Sequence, residues 1–167
     1  MTHIFGRRGE DGKTLAWPLL EEAVYRVWGW SGLPEVVRTQ RGKPLFVRMN
    51  CHCFSLSHSG GYALCALSDD GPVGVDIELV RPRREGFPAY VLSEKEQAAF
   101  DGSWEEFTRI WTLKESWCKR EDIPVYPPRR LETPPPCPHK CYAGEDWRAS
   151  VCAGGVLPDR IIWLDEE

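Results

Sequence analysis

Two apolar runs dominate the middle of the chain, FSLSHSGGYALCALS and GPVGVDIELV, and they are divided at Asp69, Asp70, Gly71 and Pro72. Turn residues between two alternating segments predict a hairpin of two strands. In the second strand a period of two sends Val73, Val75, Ile77 and Leu79 to one face, and Gly74, Asp76, Glu78 and Val80 to the other. The two carboxylates then share a face, roughly 7 Å apart along the strand. A charge taken out of water costs several kcal/mol unless something pairs with it, so Asp76 and Glu78 call for a partner elsewhere in the chain.

Helical spacing appears on either side. Leu19, Leu20, Ala23, Val24 and Val27 predict a helix over residues 15–30, with Pro18 in its first turn. Short strands are expected at 36–38 and 45–47, flanking the turn signal QRGKP. Residues 92–100 and 103–120 read as helices opened by capping boxes, Ser93 with Glu96 and Ser103 with Glu106, which assigns Glu96 to a cap. In the longer helix Phe107, Ile110, Trp111, Trp117 and Cys118 form an apolar stripe. Glu115 lies about 40° from Trp111, at the edge of that stripe, and Lys119 follows one turn later.

Beyond Pro124 the segment YPPRRLETPPPCPHK carries six prolines, which excludes a central strand or helix and predicts a stiff surface connection. The tail then repeats an earlier order. WRASVCAG parallels YALCALSD, and RIIWLD parallels VGVDIE. This internal repeat suggests an α+β fold of two similar halves, 1–80 and 81–167. With the second copy slid by one residue, Ile162 and Leu164 stand where the first has Asp76 and Glu78, which suggests that the carboxylates are not required by the fold.

Composition narrows the partners. At 42% hydrophobic and 28% charged the chain suits one soluble globular domain or two small halves. A net charge of −4 argues against coating nucleic acid or an anionic membrane, so an anionic ligand has to be met by a local basic cluster. The start, MTHIFGRRGEDGK, has no apolar h-region, and no run of 18 apolar residues follows; a cytosolic protein is expected. Seven cysteines are then reduced thiols, an odd count that cannot close into a full disulfide framework. Zinc at Cys51, Cys53, Cys137 and Cys141 is disfavoured because neither CHC nor CPHKC has C-x2-C spacing. Cys65, Cys118 and Cys152 read as small core residues.

A hard cation is the simplest partner for Asp76 and Glu78: with a third oxygen donor they suit Mg²⁺, and Glu115 in WTLKESWCK is the candidate third ligand. Singly, a DIE strand edge is more often solvated and a KE pair in a helix more often exposed. Their joint occurrence with an SHSG turn favours a site.

Taken together, GKP at 42–44, FSLSHSG at 54–60, VGVDIE at 73–78 and WTLKESWCK at 111–119, with VLSEKE at 91–96 between the last two, resemble the 4'-phosphopantetheinyl transferases of the type that activates surfactin synthetase. The likeness covers about half of the chain, from Gly42 to roughly Val125. It implies two α+β halves related by a pseudo-twofold, with coenzyme A in the cleft between them. It also implies transfer of 4'-phosphopantetheine from coenzyme A to a serine of an apo acyl or peptidyl carrier protein, releasing adenosine 3',5'-bisphosphate. By the same resemblance Asp76, Glu78 and Glu115 are metal ligands, and Glu115 is also the base. Lys119, assisted by Lys114, meets phosphate oxygens; Lys43 and His58 meet phosphates of coenzyme A, and Ser57 donates from the same turn. Arg7, Arg8, Lys13 and Thr14 take the place of the basic residues that the family directs at the nucleotide. A cleft complete within one chain implies a monomer. The alternative is a degenerate homologue that binds a carrier protein or coenzyme A without turnover, or a zinc-stabilised binding module; intact carboxylates and Lys119 favour the enzyme.

Overall fold

The computed structural model describes residues 1–49 and 51–164. The elements run β1 (Thr2–Arg8), α1 (Gly12–Trp28), β2 (Val36–Arg38), β3 (Pro44–Phe46), β4 (Cys53–Ser59), β5 (Tyr62–Ser68), β6 (Gly74–Leu79), α2 (Phe87–Val91), α3 (Glu94–Ala99), α4 (Trp104–Glu121), a 3₁₀ turn (Pro128–Arg130), β7 (His139–Ala143), β8 (Trp147–Cys152) and β9 (Ile162–Trp163). The architecture is mixed α+β. One sheet has the order β4-β5-β1-β9 and another β6-β8-β7, while β2 and β3 pair separately.

The strand pattern of β5 and β6 is as the alternation predicts, but they do not form a hairpin. β5 lies antiparallel between β4 and β1, whereas β6 pairs antiparallel with β8, Asp76 opposite Ser150 and Glu78 opposite Arg148. The connection at 69–73 therefore carries the chain from the first sheet into the second. Conversely β9, from the far end of the chain, runs parallel to β1 in the first sheet. In the tail repeat, Asp165 lies outside the described residues.

Period-two burial explains the layers. Ala63, Cys65 and Leu67 of β5 pack with Leu19, Leu20, Ala23 and Val24 of α1, and the intervening Leu64 and Ala66 pack with Val75, Ile77, Ala149 and Val151 of the second sheet. α4 covers β6 and β8 from the other side, its Thr112 and Ser116 side chains meeting Ser150 and Cys152. At Gly74 this approach is so close that a Cβ would stand 1.9 Å from the Ser116 carbonyl oxygen. Only a glycine admits the helix there.

Helix boundaries differ from expectation for local reasons. α1 starts earlier because the Asp11 carboxylate accepts the Lys13 N–H, so Pro18 falls inside the helix, beyond its first turn. The Ser93–Glu96 capping box is complete, but at Ser103 only half forms: its hydroxyl accepts the Glu106 N–H while the Glu106 carboxylate turns to Arg109. The proline-bearing segment is not wholly a surface connection, since Pro128 and Leu131 are buried, and its last residues enter β7 at a sheet edge, where prolines just upstream break no ladder. Strand β1 and helix α2 had no counterpart in the periodicity reading.

Candidate active site

The site is built on the outer edge of β6. Among the described residues no strand pairs with that edge by backbone; three serine hydroxyls of β4 serve it. Ser55, Ser57 and Ser59 accept the N–H groups of Val75, Ile77 and Leu79 at 3.1, 3.2 and 3.1 Å. Since β4 places every second residue on one face, the sequence S-x-S-x-S matches every second N–H of β6.

Asp76 is 4% exposed. Its Oδ1 accepts the Ser57 hydroxyl at 2.8 Å and the Lys119 ammonium at 2.7 Å, and Lys119 also reaches the carbonyl oxygens of Val75 at 3.1 Å and Leu56 at 3.4 Å. Its Oδ2 is buried without a hydrogen-bond partner. Glu78 Oε2 accepts the Ser59 hydroxyl at 3.2 Å and lies 3.5 Å from the Arg83 guanidinium. Burial, and then the Asp76 charge, raise the Glu78 carboxyl above its ordinary range against the pull of Ser59, Arg83 and Lys119. Glu115 reaches the same region from α4. Burial and the charges of Asp76 and Glu78, partly offset by Lys119, push it up to about 7.

Glu115 and Lys119 line a cleft of about 560 Å³ whose other walls are Gly42–Pro44, Phe54–Leu56 and residues 122–126. Lys43 lies in that wall, but its ammonium is tied to the C-terminal end of α4: it donates to the carbonyls of Lys119, Arg120 and Val73, the last two at 3.3 Å. Burial lowers its pKa. A cation at a helix C-terminus is favoured by the peptide dipoles, so Lys43 helps to hold α4 against the 39–43 turn. Thr39 reinforces this by donating to the Asp122 carboxylate at 3.1 Å.

Other predicted residues are placed differently. Lys114 is fully buried and does not face the cleft: it donates to the carbonyls of Val91 and Pro128 and pairs with Glu96 at 2.7 Å. Glu96 is accordingly more than a cap. It also accepts the Thr133 N–H and hydroxyl, and although burial pushes its carboxyl up, the bonds from Lys114, Thr133 and Ser93 hold it below the usual range. The signal for Lys114 was present, since it falls three and four residues from Trp111 and Ile110, on the apolar stripe itself. His58 is an exposed residue near the end of β4, and Lys13 and Thr14 are exposed in the first turn of α1. Arg7 pairs with Glu22, and the Arg8 guanidinium lies 4.4 Å from the Trp163 ring centroid. Ser55, Ser59 and Arg83 were not singled out; the alternating serines were the available sign.

All seven cysteines are free, and Cys65, Cys118 and Cys152 are buried as expected. Among the described residues no group of three acidic, histidine or cysteine side chains is arranged to hold a metal ion as it stands. At Asp76 the place of a cation is taken by Lys119. The chemistry of the donor set nonetheless fits a hard divalent ion: three carboxylates, two of them raised by crowding and burial, with one buried oxygen unpartnered. No described helix is long and apolar enough to cross a membrane.

Residues 72–127, which hold β6, α2, α3 and α4, match the family model of the 4'-phosphopantetheinyl transferase superfamily. By this segment the chain is similar to that superfamily. It is similar to the 4'-phosphopantetheinyl transferase AcpT of Escherichia coli O157:H7, 41% identical over 97 residues covering 54% of this chain and 50% of the relative. It is also similar to the 4'-phosphopantetheinyl transferase Sfp of Bacillus subtilis, 32% identical over 85 residues, 48% of this chain and 38% of the relative. A putative 4'-phosphopantetheinyl transferase of Synechocystis is 27% identical over 107 residues, 60% and 40% of the two chains. The aligned part spans half or less of the length of these curated relatives.

Proposed function

We propose that this protein transfers 4'-phosphopantetheine from coenzyme A to a serine of an apo acyl or peptidyl carrier protein, releasing adenosine 3',5'-bisphosphate. The observation that carries this reading is the buried, unpartnered Oδ2 of Asp76, in a carboxylate group shared with Glu78 and Glu115 beside a cleft lined by Lys119. Asp76, Glu78 and Glu115 are the residues that would hold Mg²⁺. When bound, the ion would neutralise the pyrophosphate of coenzyme A.

The chain's own groups supply the rest. Glu115, with a pKa near 7, takes the proton from the carrier serine hydroxyl. The serine oxygen forms a bond to the phosphorus next to pantetheine, and the bond from that phosphorus to the bridging oxygen breaks. Lys119, which Asp76 holds at the cleft wall, offsets the charge that gathers on the departing bisphosphate. Lys43 stabilises the α4 terminus that carries Lys119, and its ammonium adds positive potential at the phosphates. His58, Lys13 and Thr14 complete the binding of coenzyme A, whereas the Ser57 hydroxyl, expected to donate to it, is committed to Asp76.

The architecture behind this is a single transferase domain of two halves, 1–80 and 81–167, related by a pseudo-twofold. Support comes from reciprocal crossings: β6 leaves the first half to join the second sheet, and β9 leaves the second half to join the first. The protein acts as a monomer in the cytosol.

The test is to incubate the protein with coenzyme A, Mg²⁺ and an apo carrier protein and to weigh the carrier. A gain of one phosphopantetheine is expected, suppressed by a chelator and by Asp76→Ala or Glu115→Ala. No mass change with fatty-acid, polyketide and peptide carriers alike would leave a binding module as the reading.

A further inference from the structure

Each serine of the β4 ladder uses its oxygen to accept a fixed backbone N–H, which leaves its proton free to be aimed. What the proton meets depends on the β6 residue beside it. Ser55 stands next to Gly74, which offers no side chain; Ser57 aims at Asp76 Oδ1 and Ser59 at Glu78 Oε2. The ladder is therefore structural at its first rung and coupled to a carboxylate at the other two.

We propose that Ser59 is a positioning residue for Glu78. Its hydroxyl, set by the Leu79 N–H, and the Arg83 guanidinium engage the same oxygen, Oε2, at 3.2 and 3.5 Å. That arrangement fixes the carboxylate rotamer and leaves Oε1 as the oxygen available to a cation shared with Asp76. The Ser57–Asp76 pair repeats the design: hydroxyl and Lys119 both on Oδ1, Oδ2 left without a partner. Orienting a carboxylate by a neighbouring hydrogen bond affects metal affinity more than catalytic rate at saturating metal. The inference rests on the proposed role of Asp76 and Glu78 as cation ligands.

The test is calorimetric titration of the full chain with MgCl₂, without coenzyme A, alongside the Mg²⁺ dependence of carrier modification. Ser59→Ala is expected to weaken Mg²⁺ binding about tenfold and to raise the half-saturating Mg²⁺ concentration equally, with kcat at saturating Mg²⁺ little changed. Ser59→Thr, which keeps the hydroxyl, should restore the affinity. Ser55→Ala loses a backbone N–H contact of the same kind, so it should lower the melting temperature yet keep the Mg²⁺ affinity. If Asp76→Ala abolishes Mg²⁺ binding but Ser59→Ala binds like the unaltered protein, or if Ser55→Ala weakens binding as much as Ser59→Ala, the positioning role is overturned while the metal reading stands. If the unaltered protein binds no Mg²⁺, both fall.

Discussion

Glu115 shows how a residue's chemistry is set by what surrounds it. An ordinary glutamate ionises near pH 4.3, but here burial and two neighbouring carboxylates push it up to about 7. A raised carboxyl keeps its proton in the folded chain while the unfolded chain has lost it, so its contribution to stability is full below the unfolded pKa and is lost as pH rises through about 7. Without added metal, the melting temperature of Glu115→Gln should therefore fall less than that of the unaltered protein between pH 4.5 and 7; parallel curves would contradict the burial argument. The same substitution should abolish carrier modification. At this scale the carboxylates were legible because charges inside a period-two apolar strand are costly and demand a reason. Lys114 was misassigned to the phosphates, although its place on the apolar stripe marked it as buried.

The approach of α4 to β6 decides whether the site exists, because Asp76 and Glu78 come from the strand and Glu115 and Lys119 from the helix. Gly74→Ala puts a methyl group 1.9 Å from the Ser116 carbonyl and 2.5 Å from the Arg120 nitrogen, both backbone atoms that a rotamer change cannot move. A strongly destabilised protein, read by chemical denaturation, with little residual activity is the expected outcome. The other face of α4 is held by the Lys114–Glu96 pair, which also captures Thr133 from the proline-bearing segment. Lys114→Ala should cost about 3–5 kcal/mol, since it strands a buried carboxylate, and adding Glu96→Gln should recover part of that loss. Capping and periodicity made both α3 and α4 readable in advance. The half-formed box at Ser103 was not, because Arg109 competes for Glu106 and propensity carries no record of competitors.

Across the whole molecule the two sheets are interlocked. β6 belongs by sequence to the first part of the chain and by pairing to the second sheet; β9 makes the reverse crossing, and Trp163 packs with Trp147 and Tyr62 where the sheets meet. The sheets share one apolar core, and the serine hydroxyls of β4 serve the N–H groups of β6, so parting them would expose that core and leave those donors unpaired. A single cooperative transition follows, with circular dichroism and tryptophan fluorescence giving coincident denaturation curves; two resolved transitions would refute the interlock. Binding of Mg²⁺ to the folded chain alone should shift that transition upward by about 2.7 kcal/mol at a hundred times its dissociation constant, reversed by chelator.

By itself, the sequence determined where many of the strands and the longer helices lie, β1 and α2 excepted, and which residue types are chemically costly: the alternation of GVDIEL, the stripe of α4, the capping serines, the carboxylates and Lys119. These are local properties, legible because side-chain direction repeats every two or 3.6 residues. Only the tertiary structure decided that β6 pairs with β8 rather than β5, that Lys43 ties down the end of α4, that Lys114 is buried against Glu96, and that S-x-S-x-S is a ladder aimed at the carboxylates. Each of those depends on hydrogen bonds between residues far apart in the chain, as with Asp76 and Ser150 or Lys43 and Lys119. A local repeat says which way a side chain points, and only the packed fold says what it meets.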